Sequence, residues 1–312
     1  MTQATPVRVP REGRRCEHQG VASDDRPATT PSALPDVRLV VVDMDGTLLD
    51  EHHEVPEPFW PLLRQLLDRG VLFCPASGRQ YANLAERFSA VADDLVFVAE
   101  NGAYVVRHGE EVSSSVLERD VVEGLVLCVR DLAATGVDAG AVLCGKRSAY
   151  TERTDAEFLA EADKYYTLLQ PVDDLLTVDD DIVKVAVFDF GTAAHSTEPA
   201  LERFRPDSQV VVSGTHWVDV MHPSTNKGAA VRALQERYGI TPAQTMVFGD
   251  YLNDLEMLDA ADHSYAMANA HPEVLARARH VAPSNRDMGV VRTIREVLGL
   301  VADDRETADA TH

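Results

Sequence analysis

Cysteine, lysine and long apolar runs are all scarce in this chain of 312 residues. The four cysteines are Cys16, Cys74, Cys128 and Cys144, and no two of them form a CxxC pair. Three lie in apolar runs, where a reduced thiol behaves as a small hydrophobe, so an unpaired set in a reducing cytoplasm is expected. No apolar stretch approaches the ~20 residues of a helical membrane span. The first residues also lack the apolar core of a signal peptide, so a soluble cytoplasmic protein is expected. Positive charge is short as well: Lys+Arg is 29 against 51 Asp+Glu, a net charge of −22. A nucleic-acid partner or a polybasic membrane anchor needs the opposite balance, so neither is expected. A small anionic substrate remains open if a metal and a few cations reverse the field locally. Only four of the basic residues are lysines, which makes any lysine in a cleft notable.

What is present is ordinary globular material, with 45% hydrophobic and 26% charged residues. Residues 1–35 have almost no large apolar side chains, and 302–312 are polar and acidic; both are expected to be disordered extensions. Between them strand and helix patterns alternate. Apolar strands are predicted at 39–42, 71–75, 95–98, 245–248 and 264–267. Helices are predicted at 58–69, 80–88, 227–238, 254–260, 272–279 and 290–298, and a hairpin turns at His108-Gly109. This alternation predicts an α/β fold, a doubly wound, Rossmann-like parallel sheet covered on both faces. The middle has another texture, two hairpins among helices, and predicts an inserted α+β domain over 117–221. The sheet domain is then discontinuous, formed by 36–116 and 222–301.

The strongest chemical signal is Asp43-Met44-Asp45-Gly46-Thr47-Leu48-Leu49 directly after the first strand. Ligands in open α/β sheets gather beyond the carboxyl ends of strands. Two acids there repel unless a cation lies between them or one holds a proton. Asp-Gly is common turn chemistry and alone carries little. A second acidic cluster decides the matter: Gly249-Asp250-Tyr251-Leu252-Asn253-Asp254 follows the strand at 245–248. Two such clusters on parallel strands can supply oxygen ligands to one hard cation. Ser77-Gly78-Arg79 ends another strand and opens a helix, which suits a phosphate group. Lys227-Gly228 opens a further helix and offers a cation.

These four segments, in this order, resemble motifs one to four of the haloacid-dehalogenase-like phosphatase superfamily. Glu100-Asn101-Gly102-Ala103, Asn269-Ala270 and Asp287-Met288-Gly289-Val290 are similar to its Cof-type branch, whose cap is a large α+β insertion. The resemblance covers about 37–300. It implies a Mg²⁺-dependent phosphomonoesterase acting on a small phosphorylated metabolite. Asp43 would be the nucleophile that forms an aspartyl-phosphate. Asp45 would protonate the leaving alkoxide, so burial or charged neighbours should raise its pKa. Mg²⁺ would be held by an Asp43 carboxylate oxygen, the Asp45 backbone carbonyl and Asp250, with Asp254 acting through water or from behind. Ser77 and the Gly78 amide would bind phosphoryl oxygens, Lys227 would bridge nucleophile and phosphate, and Asn253 would orient that lysine or touch the phosphate. A phosphomutase with the same aspartyl-phosphate is the alternative, and a non-enzymatic phosphometabolite sensor a more distant one. Substrate identity and oligomeric state have no local signature.

Several patterns have plainer explanations. Gly140 to Lys146-Arg147 nearly spells a nucleotide-binding loop, but Arg147 replaces the needed hydroxyl and a second strand follows, so a hairpin turn is expected. His52-His53 is expected in a solvated loop. Trp217, Tyr165 and Tyr166 are expected in the core of the insert. Arg79 either pairs with an acid or touches phosphate. Tyr251 places a ring close to the metal loop.

Overall fold

The computed structural model describes residues 34–300. The expected tails, apart from Leu34 and Pro35, and Cys16 lie outside that range. The chain opens with β1 (Leu39–Asp43), α1 (Phe59–Asp68), β2 (Leu72–Ala76), α2 (Tyr81–Arg87) and β3 (Val96–Ala99), then the antiparallel β4 (Tyr104–Arg107) and β5 (Glu110–Ser114). An excursion follows through α3 (Arg119–Ala134), β6 (Ala139–Gly145), β7 (Ala149–Thr151), α4 (Ala156–Ala162), β8 (Leu169–Pro171), β9 (Ile182–Asp189), α5 (Thr197–Leu201), β10 (Gln209–Val212) and β11 (Trp217–Met221). The return comprises α6 (Lys227–Tyr238), β12 (Thr245–Gly249), α7 (Leu255–Asp259), β13 (His263–Met267), α8 (Pro272–Arg277), β14 (His280–Ala282) and α9 (Gly289–Leu298).

The first and last groups share one eight-stranded sheet in the order β14-β13-β12-β1-β2-β3-β4-β5. It is parallel from β14 to β3 and antiparallel beyond. This is the α/β, doubly wound sheet that the alternating pattern predicts. The strands are apolar and buried because helices cover both faces; all five residues of β1 are buried. Winding proceeds from β1 toward β3 on one side, and the chain later resumes at β12 on the other. The direction therefore reverses between β1 and β12, which opens a crevice beyond their carboxyl ends. Both acidic clusters stand there.

The excursion builds a second, six-stranded sheet in the order β10-β11-β9-β6-β7-β8. Register fixes which side chains share a face. Trp217 pairs with Phe188, Asp219 with Ala186 and Met221 with Lys184, while Cys144 opposes Lys184 and Val142 opposes Ala186. That face packs partly on α4 through Val142, Ala186, Phe188 and Phe158. The alternate residues, among them Leu143, Val185, Val187, Val218 and Val220, pack on α3 and α5. Sequence patterning does not find β8 or β14. Each has only three residues, too few for an alternation to show. Cys74, Cys128 and Cys144 are free and buried.

Candidate active site

Asp43 is the last residue of β1, and the next five form a tight loop whose direction is set by Gly46 at φ +83°. A Cβ at that position would overlap the Asp250 carboxylate, so glycine alone lets the two acidic loops close on each other. Thr47 Oγ1 donates to Asp250 Oδ1 at 2.9 Å. The loop is braced from outside, where Asn269 donates to the Gly46 carbonyl and Asn285 to that of Leu49.

Lys227 is the first residue of α6, whose N-terminus is capped by Asn226 accepting from the Ala229 amide at 2.7 Å. Its side chain is wholly buried and donates to Asp43 Oδ1 and to Asp254 Oδ1, the latter at 2.7 Å. Gly228 lies against the Glu256 carbonyl where no Cβ fits, which brings α6 close enough for that reach. The other Asp254 oxygen accepts from the amides of Asp250 and Tyr251. Asp254 is thus spent on holding the lysine and its own loop, while Asp43 and Asp250 face each other.

Ligand oxygens of Asp43, Asp250 and Asp254 lie within 4.8 Å of one another. Three carboxylates against one ammonium leave an excess of two negative charges in a buried place. Burial, then the nearby Asp254, raise the Asp43 carboxyl well above its ordinary value. The same two causes push Asp250 up to about 6. The Lys227 ammonium is held above its usual range: burial works against it, and the charges of Asp254 and Asp43 outweigh burial. Such crowding fits a divalent cation, whose charge matches the excess and whose preference is for oxygen.

Ser77 follows β2 and is buried, and its backbone carbonyl accepts from the Asn101 amide at 2.9 Å. Asn253 reaches the same place, donating to Asn101 Oδ1 at 3.1 Å. Ser77, Gly78, Asn101 and Asn253 therefore meet beside Asp43, all lining one cavity of about 360 Å³ between the two sheets.

Asp45 departs from expectation. Burial does raise its carboxyl, as the sequence reasoning supposed. However, a two-pronged ion pair from Arg79 (2.9 and 2.8 Å) and the neighbouring His53 outweigh burial and hold it below its ordinary value. Arg79, left open above, pairs with the acid. Its side chain also reaches the Lys164 carbonyl in the insert. The Asp45 side chain is directed to this pair and is not among the carboxylates that converge with Asp43.

The other patterns fall as follows. Gly140 to Arg147 runs through the β6–β7 hairpin, with Lys146 paired to Glu111 and Asp181. His52 and His53 stand on an exposed loop, His53 beside Asp45. Trp217 and Tyr166 are buried in the insert, yet they line the cavity together with the more exposed Tyr165. Tyr251 lines the cavity as an exposed residue, its ring set edge-on to His271.

A family model for haloacid dehalogenase-like hydrolases matches residues 40–294. The chain belongs to the haloacid dehalogenase-like hydrolases. It is 35% identical over 265 residues to an Escherichia coli protein named 5-amino-6-(5-phospho-D-ribitylamino)uracil phosphatase, covering 84% of this chain and 96% of that one. Against the HMP-PP phosphatase of Cronobacter sakazakii identity is 28%, over 78% and 89% of the two chains. A solved structure from Streptococcus mutans superposes with a TM-score of 0.74 at 26% identity, over 84% of this chain and 99% of that one. One from Thermotoga maritima gives 0.73 at 25% identity, over 86% and 98%. The family and the enzyme class implied by the four motifs are thus those of its relatives, which carry the name phosphatase.

Three polar groups at the site were given no role by the sequence alone. Thr47 lies inside the first motif, and its hydroxyl acts on Asp250. Lys184 and Asp219 come from β9 and β11 of the insert and line the cavity opposite Ser77 and Gly78. Part of their signal was available, a charged residue at an alternating position in each apolar strand, but the register that brings the two together was not. No helix among the described residues is long and apolar enough to cross a membrane.

Proposed function

We propose that the protein is a Mg²⁺-dependent phosphomonoesterase that hydrolyses a small phosphorylated metabolite in the cytoplasm through an aspartyl-phosphate. The observation that carries this reading is the buried Lys227 held between Asp43 and Asp254, with Asp250 alongside, at the switch point of the sheet. In the first half-reaction an Asp43 carboxylate oxygen attacks phosphorus. The Asp43–phosphorus bond forms, the ester bond breaks, and Asp45 gives its proton to the leaving oxygen. In the second, Asp45 takes a proton from water as the water oxygen bonds phosphorus and the Asp43 link breaks. Inorganic phosphate leaves, with Asp43 again a carboxylate and Asp45 again the protonated acid. Asp45 stands ionised against Arg79 in this state, so its acid role requires the bound phosphoryl group to draw that guanidinium off and the freed carboxylate to take up a proton from solvent before the ester bond breaks. A dianion offered in exchange for a monoanion supplies the reason for Arg79 to move.

Ser77 and the Gly78 amide bind phosphoryl oxygens in this proposal, Asn253 steadies that loop, and Lys227 spans nucleophile and phosphate. Asp43, Asp250 and the Asp45 carbonyl would hold Mg²⁺, with Asp254 behind them. The ion supplies charge withdrawal from the phosphoryl oxygens. The insert over 117–221 would serve as the cap, excluding bulk water and choosing the leaving group. Intact Asp43, Asp45 and Lys227 favour turnover over a sensor role. With Mg²⁺ present, phosphate release is expected from one or a few esters in a panel of phosphorylated metabolites and p-nitrophenyl phosphate. A chelator should lower the rate by about 10²-fold or more. Release that is indifferent to the chelator defeats the metal assignment; transfer between sugars without release supports the mutase.

The acid cluster also sets a pH dependence. The Asp250 carboxyl sits near 6 in the folded chain against an ordinary 3.8. A raised acid binds more protons folded than unfolded, so the metal-free protein loses stability as pH rises through that window. Mg²⁺ replaces the missing positive charge above the window and competes with protons inside it. The rise in Tm on adding Mg²⁺ is therefore expected to be larger at about pH 7.5 than at about pH 5, by roughly 2–4 °C per kcal/mol of differential binding. Equal shifts at both values in a thermal melt contradict this.

A further inference from the structure

The roof of the cavity carries a carboxylate that none of the chemistry above employs. Asp219 is 94% buried by its 6% exposure, and it lines the cavity on the inward face of β11. Among the described residues no protein donor hydrogen-bonds its carboxylate and no cation lies within ion-pair distance. Its charged neighbour is Lys184: burial works against that ammonium, and the charges of Asp219 first and Glu100 next hold it above its usual range; its direct contacts are with Glu100 at 2.6 Å and the Gly78 carbonyl at 3.1 Å. The carboxylate faces the cavity without a protein donor, which leaves it open to one brought by a ligand.

We infer that Asp219 is the specificity-determining acceptor for the substrate's leaving group: it takes hydrogen bonds from hydroxyl or N–H donors of a neutral or cationic organic moiety. This rests on the phosphatase reading of the floor below and names the substrate class for it. Two further observations give the moiety its character. Trp217 and Tyr165, edge-to-face at 5.7 Å, put aromatic surface beside Asp219, which suits a ring or the C–H face of a polyol. Lys184, Glu100 and Asp219 together sum to one negative charge in a low-dielectric roof. A second phosphate or a carboxylate on the leaving group is repelled there. The same sign argues against the bisphosphate that a mutase must hold.

The experiment compares kcat/KM for p-nitrophenyl phosphate, whose leaving group has no such donor, with that for a panel of sugar and polyol monophosphates and one sugar bisphosphate. It uses the full chain with Mg²⁺ and the variants Asp219→Asn and Asp219→Ala. The best polyol ester is expected to lose about 10–100-fold in Asp219→Ala, chiefly through KM, with p-nitrophenyl phosphate and inhibition by inorganic phosphate changed less than about threefold. Asp219→Asn should lose less on the polyol ester and should narrow its advantage over the bisphosphate. Equal losses on p-nitrophenyl phosphate and the polyol ester, in variants that melt like the parent, make Asp219 merely structural and overturn the inference. So does an undiminished rate on every ester, or a wild-type protein that turns over p-nitrophenyl phosphate and no polyol ester. A wild-type protein inert on all of them, p-nitrophenyl phosphate included, brings down the phosphatase reading itself.

Discussion

Asp43→Asn is expected to lower phosphate release by about 10³-fold or more while leaving the fold intact. Asparagine has nearly the volume of aspartate but cannot form the acyl-phosphate, so turnover is left with whatever positioning alone supplies. Stability should move the other way. The Asp43 carboxyl is raised by its burial and by Asp254, which means its ionised form is costly where it stands. Removing one of three crowded acids leaves Lys227 with Asp254 and reduces the excess charge beside Asp250. In the absence of Mg²⁺ the variant should melt no lower than the parent, and its gain in Tm on adding Mg²⁺ should shrink, because a ligand is gone. Phosphate release and thermal melts with and without Mg²⁺ check both halves. A variant that keeps a tenth of the parent rate removes Asp43 from the role of nucleophile. One that unfolds shows that the acid is needed to satisfy Lys227 more than it repels its neighbours.

How much of this was legible in the sequence follows from which contacts are local. The sheet was, because each parallel strand is a short apolar run that needs both faces covered, and the runs are separated by helical periods. The clusters Asp43-Asp45 and Asp250–Asp254 were, because strand ends set the site and both stand at strand ends. Contacts made across the fold were not. Asp45 was expected to be raised by burial or by charged neighbours, but its state is decided by Arg79, 34 positions away and joined to it by two hydrogen bonds. Asp219 and Lys184 belong to neighbouring strands whose register, Met221 to Lys184, has no local mark. The three-residue strands β8 and β14 failed for a different reason, since pairing with a neighbour defines them and their own residues do not.

Lys227→Met tests the other end of the same charge cluster, and here both activity and stability should fall. The methionine fills a similar volume, so the loss is of charge and of donors. Lys227 is wholly enclosed, and its ammonium is the cation that hydrogen-bonds both Asp43 and Asp254. Removing one partner of a buried ionic network strands the others, at a cost of about 3–5 kcal/mol. A drop in Tm of roughly 6–20 °C corresponds to that cost in a chain of this size. Lowering the pH should restore part of the lost stability, because protonating Asp43 or Asp250 relieves the same excess. Mg²⁺ should restore part of it at neutral pH by supplying charge. Neither addition should restore turnover beyond about 10⁻²–10⁻³ of the parent, since the phosphoryl group still lacks a preorganised donor at that position. This split separates two jobs in one side chain: neutralising the acids, which a proton or a metal can replace, and meeting the phosphate, which they cannot. Recovery of full activity with Mg²⁺ alone would mean that Lys227 only balances charge, and the contact with substrate would then have to be assigned to Ser77, Gly78 and Asn253.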